Sequence, residues 1–125
     1  MHEASIAQSI IKTVLDQAEQ KNAVQIKSVE IEIGELTFLN REQVGFWVKM
    51  GFKNTIAENA SIHFKEIQAV VYCKSCGYRG YMQVDEDPAY HLNLPQFKCP
   101  NCGKTDIEIV HGKETIIRKI QIMKP

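Results

Sequence analysis

The sequence predicts an α+β protein in which two helices pack on a three-stranded sheet and a small module is inserted before the last strand. Three observations carry that reading: two stretches with helical apolar periodicity, three with strand alternation, and one cysteine-bearing stretch with neither. With 125 residues, 44% of them apolar, the chain can bury one modest core and carry a second module that needs its own fastening, but not two large domains.

The first helix is read from Glu3 to Lys21. Ile6, Ile10, Ile11, Val14, Leu15 and Ala18 line one side, Gln8, Lys12, Asp16 and Glu19 the other, and Asn22 is a natural stop. Lys27 to Gly34 then alternates, with Val29, Ile31 and Ile33 on the buried side. Ile26 has the wrong parity, so the strand is expected to start after it or to contain a bulge. Asn40, followed three residues later by Gln43, reads as the cap of a second helix running to about Asn54. Val44, Trp47, Val48 and Phe52 form its expected buried stripe, with Trp47 in the core. Ser61 to Glu66 alternates around Ile62 and Phe64, and near the C-terminus Ile116, Ile120 and Ile122 share a face with Arg118 interrupting.

The stretch from Val70 to His111 holds all four cysteines and three of the four prolines. The expected organisation is therefore residues 1–69 and 112–125 as the α/β domain, with 70–111 as an insert. Its cysteines occur as C-K-S-C-G (Cys73, Cys76) and C-P-N-C-G (Cys99, Cys102). A tight turn between paired thiolates lets both sulfurs face one ion, and Gly77 and Gly103 can take the positive φ such a turn often needs. Four sulfurs would close a tetrahedral shell with no open position, which makes the site structural and the insert zinc-ribbon-like. Zinc is the first choice by ligand softness; a rubredoxin-type iron centre or a redox dithiol would use the same spacing.

The start, M-H-E, offers a different donor set. The amine of Met1, the deprotonated amide of His2 and the His2 imidazole could close fused rings in one plane around Ni(II) or Cu(II), with Glu3 adding its amide or supporting the imidazole. Methionine is expected to stay on, since the histidine beside it is too large for the usual trimming. On spacing alone, a terminal histidine without any ligand role is the commoner case. His63 falls on the polar side of its strand and is expected to be solvated, and His111, where the insert rejoins the sheet, suits a hinge or surface role.

M-H-E at the start, I-G-E-L at Ile33 to Leu36, T-I-A-E-N-A before the second strand and the two cysteine pairs follow one another in the order seen in the HypA/HybF family. The chain resembles those nickel-insertion accessory proteins of [NiFe]-hydrogenase maturation along essentially its whole length. The resemblance implies a metallochaperone, not an enzyme: Ni(II) held at the N-terminus by His2 with Met1 and Glu3, and zinc held by Cys73, Cys76, Cys99 and Cys102. It further implies delivery to the hydrogenase large subunit together with a HypB-type GTPase. The exposed Gln8, Lys12, Asp16 and Glu19 are candidate contacts for that partner. The long stretch D-E-D-P-A-Y-H-L-N-L-P between the cysteine pairs looks like the extended archaeal type and brings in His91 as a candidate fourth nickel ligand, with a surface role as its plain alternative.

Composition bounds the rest. Fifteen basic residues balance fifteen acidic ones, so no long-range field draws in nucleic acid or anionic lipid. No run approaches the roughly 18 apolar residues of a spanning helix, and a cytoplasmic setting is the simplest expectation. The rival reading is a zinc-ribbon module for protein or nucleic-acid interaction, using Lys74, Arg79, Lys98 and Lys104 with Tyr72, Tyr78, Tyr81 and Phe97 as a stacking set. The neutral net charge and the acidic Asp85, Glu86 and Asp87 oppose nucleic acid. Monomer and homodimer both stay open.

Overall fold

The computed structural model describes residues 2–82 and 97–125, the His2 side chain excepted, and the chain divides into two compact units. The first comprises Met1–Glu32, Leu39–Lys65 and Thr115–Pro125; the second comprises Ile33–Phe38 and Glu66–Glu114.

The first unit is the α+β layer. Helix α1 (His2–Gln20) buries Ala7, Ile10, Val14 and Ala18, one residue per turn along a single stripe. It ends where Asn22 takes φ 56°: the Ala23 N–H reaches the Ala18 carbonyl and the Asn22 N–H the Glu19 carbonyl, each at 3.0 Å. This is the left-handed cap that satisfies the last carbonyls of a helix. Strand β1 (Gln25–Gly34) is central in the order β2-β1-β6, between β2 (Ser61–Ile67) and β6 (Thr115–Met123). Its parity break is real, but Ile26 lies inside the strand and is fully buried. The Ile26 N–H donates to the Ile56 carbonyl at 2.9 Å, so a backbone bond to the neighbouring turn satisfies that residue.

Helix α2 (Arg41–Phe52) starts as expected, with the Asn40 side chain accepting from the Gln43 N–H at 3.1 Å. Val44, Val48 and Phe52 are its buried residues. Trp47 is not among them: it is 46% exposed and stacks edge-on against Phe46, ring centroids 5.4 Å apart. Trp47 lies about 100° around the helix from Val48, at the margin of the stripe. Where α2 meets α1, the Ile11 side chain takes the place a Cβ would fill at Gly51. In β6 the expected face also shifts. Thr115, Ile117, Ile120 and Ile122 are half-buried while Ile116 is 47% exposed, because alternation slips by one at the consecutive exposed pair Arg118 and Lys119.

The second unit is built on an antiparallel sheet ordered β4-β3-β5, from β3 (Val70–Cys73), β4 (Arg79–Tyr81) and β5 (Ile107–His111). Val71 faces Gly80 on one side and Ile109 on the other, and Cys73, the last residue of β3, faces Ile107. Among the described residues the core is small: Ala69, Val71 and Met82, with Leu36, Tyr78, Phe97, Ile107 and Ile109 packed around it.

Residues 33–38, which the sequence reading leaves with the α/β domain, group with this unit for a visible reason. They clasp both ends of the insert. At its start the Ala69 N–H donates to the Glu35 carboxylate at 3.2 Å. At its end the Leu36 N–H donates to the Gly112 carbonyl at 2.7 Å and the Gly34 N–H to the Glu114 carbonyl at 2.9 Å. Gly34 sits so close that a Cβ there would fall on the Gly112 carbonyl group, and Gly112 itself has φ 101° with its own Cβ position 2.8 Å from the Ala69 Cα. Since the obstructing atoms are backbone, Gly34→Ala should cost about 1–3 kcal/mol of stability. A urea titration followed by circular dichroism should show the loss as a lower midpoint, and an unchanged midpoint would refute the clasp.

Candidate metal centre

Both cysteine pairs adopt the same turn. The Gly77 N–H donates to the Cys73 carbonyl and the Gly103 N–H to the Cys99 carbonyl, each at 2.9 Å, with φ 78° and 75° at the two glycines. Nothing lies within 4 Å of a Cβ built at either glycine, so the requirement for glycine is conformational and not steric. The first turn is tied to β3 by the Cys73 N–H, which donates to the Tyr78 carbonyl at 2.8 Å, and by the Lys74 N–H, which donates to the Asp106 carbonyl at 3.0 Å. In the second, the Cys99 N–H donates to the Lys104 carbonyl at 2.9 Å. Each turn therefore buries its first cysteine and exposes its second: Cys73 and Cys99 are 0% and 3% exposed, while Cys76 and Cys102 face solvent.

The two turns bring the four sulfurs within 4.8 Å of one another, the one group of potential metal ligands found among the described residues. Cys73 Sγ lies 3.6 Å from Cys102 Sγ, and Cys76 Sγ lies 3.6 Å from Cys99 Sγ, so the buried thiol of each pair meets the exposed thiol of the other. A tetrahedral ion bonded to sulfur at about 2.3 Å has ligand edges of about 3.8 Å. The thiols fit such an ion with little adjustment.

Asn101 joins the two turns. Its backbone N–H points to Cys99 Sγ and its side-chain Nδ2 to Cys76 Sγ, both at 3.4 Å. That side-chain donor is the main reason the Cys76 thiol is drawn down to about 6, helped by the Tyr78 backbone. Cys102 behaves oppositely. The backbone at Lys104 favours its thiolate, but desolvation and the neighbouring thiols outweigh it and push Cys102 up to about 11. The metal-free site thus favours the thiolate at Cys76 and the thiol at Cys102, and an ion bound by four thiolates must expel the protons that remain. Acid works against binding.

At the other end, His2 opens α1 and Glu3 is half-buried in its first turn. The Asn40 N–H donates to the Glu3 carboxylate at 3.2 Å. Burial raises the Glu3 pKa, but this backbone bond and its other partners leave it below the ordinary value. Met1, the His2 side chain and His91 lie outside the described residues, as do Asp85, Glu86 and Asp87. His63 and His111 are exposed. In the stacking set of the rival reading, Tyr78 and Phe97 are committed to the core and Lys74 pairs with Glu108 at 3.1 Å; Tyr72 and Tyr81 are exposed. Sequence reasoning missed Asn101, Glu35 and the Gly34–Gly112 contact. Only Asn101 had a local signal, its place just before the second cysteine of its turn.

A cluster of four free thiols on a small sheet, in a chain that also carries an α+β layer, defines a metal-binding protein. The chain belongs to the HypA family, described as hydrogenase/urease nickel incorporation metallochaperones, whose pattern matches residues 1–122. It is 37% identical over 124 residues to the hydrogenase maturation factor HypA of Methanothermobacter thermautotrophicus, covering 99% of this chain and 98% of that one. With the HypA of Methanobrevibacter smithii it shares 41% identity over 125 residues, covering 100% and 98%. The fold is similar to the solution structure of the Ni metallochaperone HypA from Helicobacter pylori, with a TM-score of 0.68 at 17% identity and 98% of each chain covered. The family is one of maturation factors and not of catalysts. Among the described residues no helix is long and apolar enough to cross a membrane.

Removing a donor that holds a ligand commonly weakens metal binding by about 10–100-fold. Asn101→Ala should weaken cobalt(II) binding at the cysteines by at least the lower figure, read from the sulfur-to-metal absorption bands during competition with a chelator. Equal affinity in both proteins would deny Asn101 this role.

Proposed function

We propose that this chain carries Ni(II) on its first residues and keeps Zn(II) at Cys73, Cys76, Cys99 and Cys102 as a structural ion. The observation that carries the nickel half is the family match from residue 1, which includes the M-H-E start among the matched positions. The zinc half rests on the donor set: four thiolates at tetrahedral spacing suit zinc, and they leave no position for a reacting group. When bound, zinc would cross-link the two cysteine turns, and the core around Val71 is small enough that this link supplies much of the folding energy.

Nickel is cargo, so its site must let go. The amine of Met1, the amide and imidazole of His2, and Glu3 would close around Ni(II) in one plane, with His91 as the proposed further ligand. The Asn40 N–H holds the Glu3 carboxylate and so anchors the first turn of α1 to the start of α2. Binding needs a neutral imidazole and deprotonated nitrogens, so nickel should be released as the pH falls below about 6.5. Because Glu3 has a lowered pKa, its bond to Asn40 contributes stability above the unfolded carboxylate's pKa and loses it only as the pH falls through the folded value. Nickel should therefore leave before that anchor does.

The recipient is the hydrogenase large subunit, reached with a HypB-type GTPase that docks on the exposed Gln8, Lys12, Asp16 and Glu19 of α1. Reduced thiols fit work in the cytoplasm. In this reading residues 1–69 and 112–125 act as the nickel-binding domain and 70–111 as the zinc-binding domain, and a homodimer is compatible with it.

A nickel titration of the native protein against a version with two residues added before Met1 tests the carrier site. The extension should abolish the tight nickel site while zinc content stays at one per chain, and His91→Ala should weaken nickel binding and change its spectrum. Equal nickel affinity in the native and extended proteins would overturn the terminal site, and an unchanged His91→Ala spectrum would remove that ligand.

The zinc reading has a separate check. Cys73→Ala should make the second unit protease-sensitive while the α+β layer remains resistant. Loss of both units together, or of neither, would contradict it.

A further inference from the structure

The groove between α1 and β6, within the first unit, has a volume of about 610 Å³ and is lined by apolar and cationic residues. Its floor is Ala18, Ile117, Ile120 and Ile122, and its cationic rim is Lys21, Arg118, Lys119 and Lys124. No Asp or Glu lines it, in a chain whose acidic and basic residues balance. Among the described residues none of the four cations forms an ion pair.

Each cation alone has an ordinary explanation. Lys21 follows the end of α1, where a positive charge suits the helix dipole. Arg118 and Lys119 lie on an edge strand, where charge deters pairing with other chains. Neither explanation accounts for their convergence. The one-residue slip in β6 leaves two consecutive cations exposed, and Lys124, beyond the strand end, adds a third on the same wall. Four like charges around one concavity repel one another, and a complementary ligand would relieve that cost.

We propose that this groove docks an acidic segment of a partner protein that also carries apolar side chains. The floor decides between anionic ligands. A phosphate or nucleic-acid backbone would meet the rim and leave Ile117, Ile120 and Ile122 unused, whereas a peptide with Glu or Asp interleaved with Leu would satisfy both. On the helix side the groove takes Thr13, Gln17 and Ala18 of α1 and Lys21 just beyond it, none of them among Gln8, Lys12, Asp16 and Glu19. The inference is independent of where nickel binds.

The test is a titration of isotope-labelled full-length protein, watched by amide resonances, with the hexapeptide Glu-Leu-Glu-Glu-Leu-Glu. Binding should shift Thr13, Gln17, Lys21 and residues 117–124, and should weaken as salt is raised. The double variant Arg118→Glu, Lys119→Glu should lose about tenfold or more in affinity, with nickel and zinc contents unchanged. Should that variant fail to fold, Lys21→Glu gives the same comparison from the helix side. The proposal is overturned if the peptide does not bind, if the shifts fall elsewhere, or if charge reversal leaves the affinity unchanged. It is equally overturned if the Gln-for-Glu peptide, hexaglutamate or inorganic pyrophosphate binds as tightly. Nickel affinity, measured on the same samples, reports separately on the carrier site.

Discussion

The constraint on which the second unit depends is that four sulfurs from two distant turns must meet within 4.8 Å. Little else could enforce that meeting. The sheet has strands of three to five residues, and among the described residues its buried core is three side chains with five more packed around them. Both turns are shaped from within by glycines at positive φ, and the first is also aimed from without by the backbone bond from Lys74 to Asp106. Asn101, reaching from one turn to the sulfur of the other, links them even before an ion is considered. The backbone thus does the aiming, and the ion would do the fastening.

The clasp at residues 33–38 shows how the second unit is closed at its own ends. The chain leaves β1 and immediately grips the first and last residues of the insert, through the Glu35 carboxylate at Ala69 and through Gly34 and Leu36 at Gly112 and Glu114. Two glycines in backbone contact make that grip possible, and neither position tolerates a side chain. The I-G-E-L stretch is therefore a mechanical part of the second unit.

Much of this was legible in the sequence, and the failures are instructive. Local signals reported local structure well: the Asn40 cap, the Asn22 stop, the stripe along α1 and the alternation of β1 all appear where periodicity and capping chemistry put them. Trp47 departs from its expected burial because a large apolar side chain is not thereby an inward one. The helix spends its inward arc on Val44, Val48 and Phe52, and the largest side chain is left at the rim. Ile116 failed because one extra exposed residue in β6 shifts the register of everything before it. The clasp could not be read at all, since it joins residues 34 and 112, and no local pattern reports a contact across that separation. The cysteine spacing predicted two turns; the crossing of Cys73 with Cys102 and of Cys76 with Cys99 is a property of the fold.

In the proposed function two metals would divide between two kinds of donor: nitrogen and oxygen at the terminus for an ion that must leave, sulfur in a closed shell for one that must stay. X-ray absorption at both metal edges, on native protein loaded with one equivalent each of nickel and zinc, tests that division most directly. The account predicts a nickel shell of nitrogen and oxygen only, and a zinc shell of four sulfurs at about 2.3 Å. Sulfur in the nickel shell, or nitrogen replacing sulfur around zinc, would contradict it.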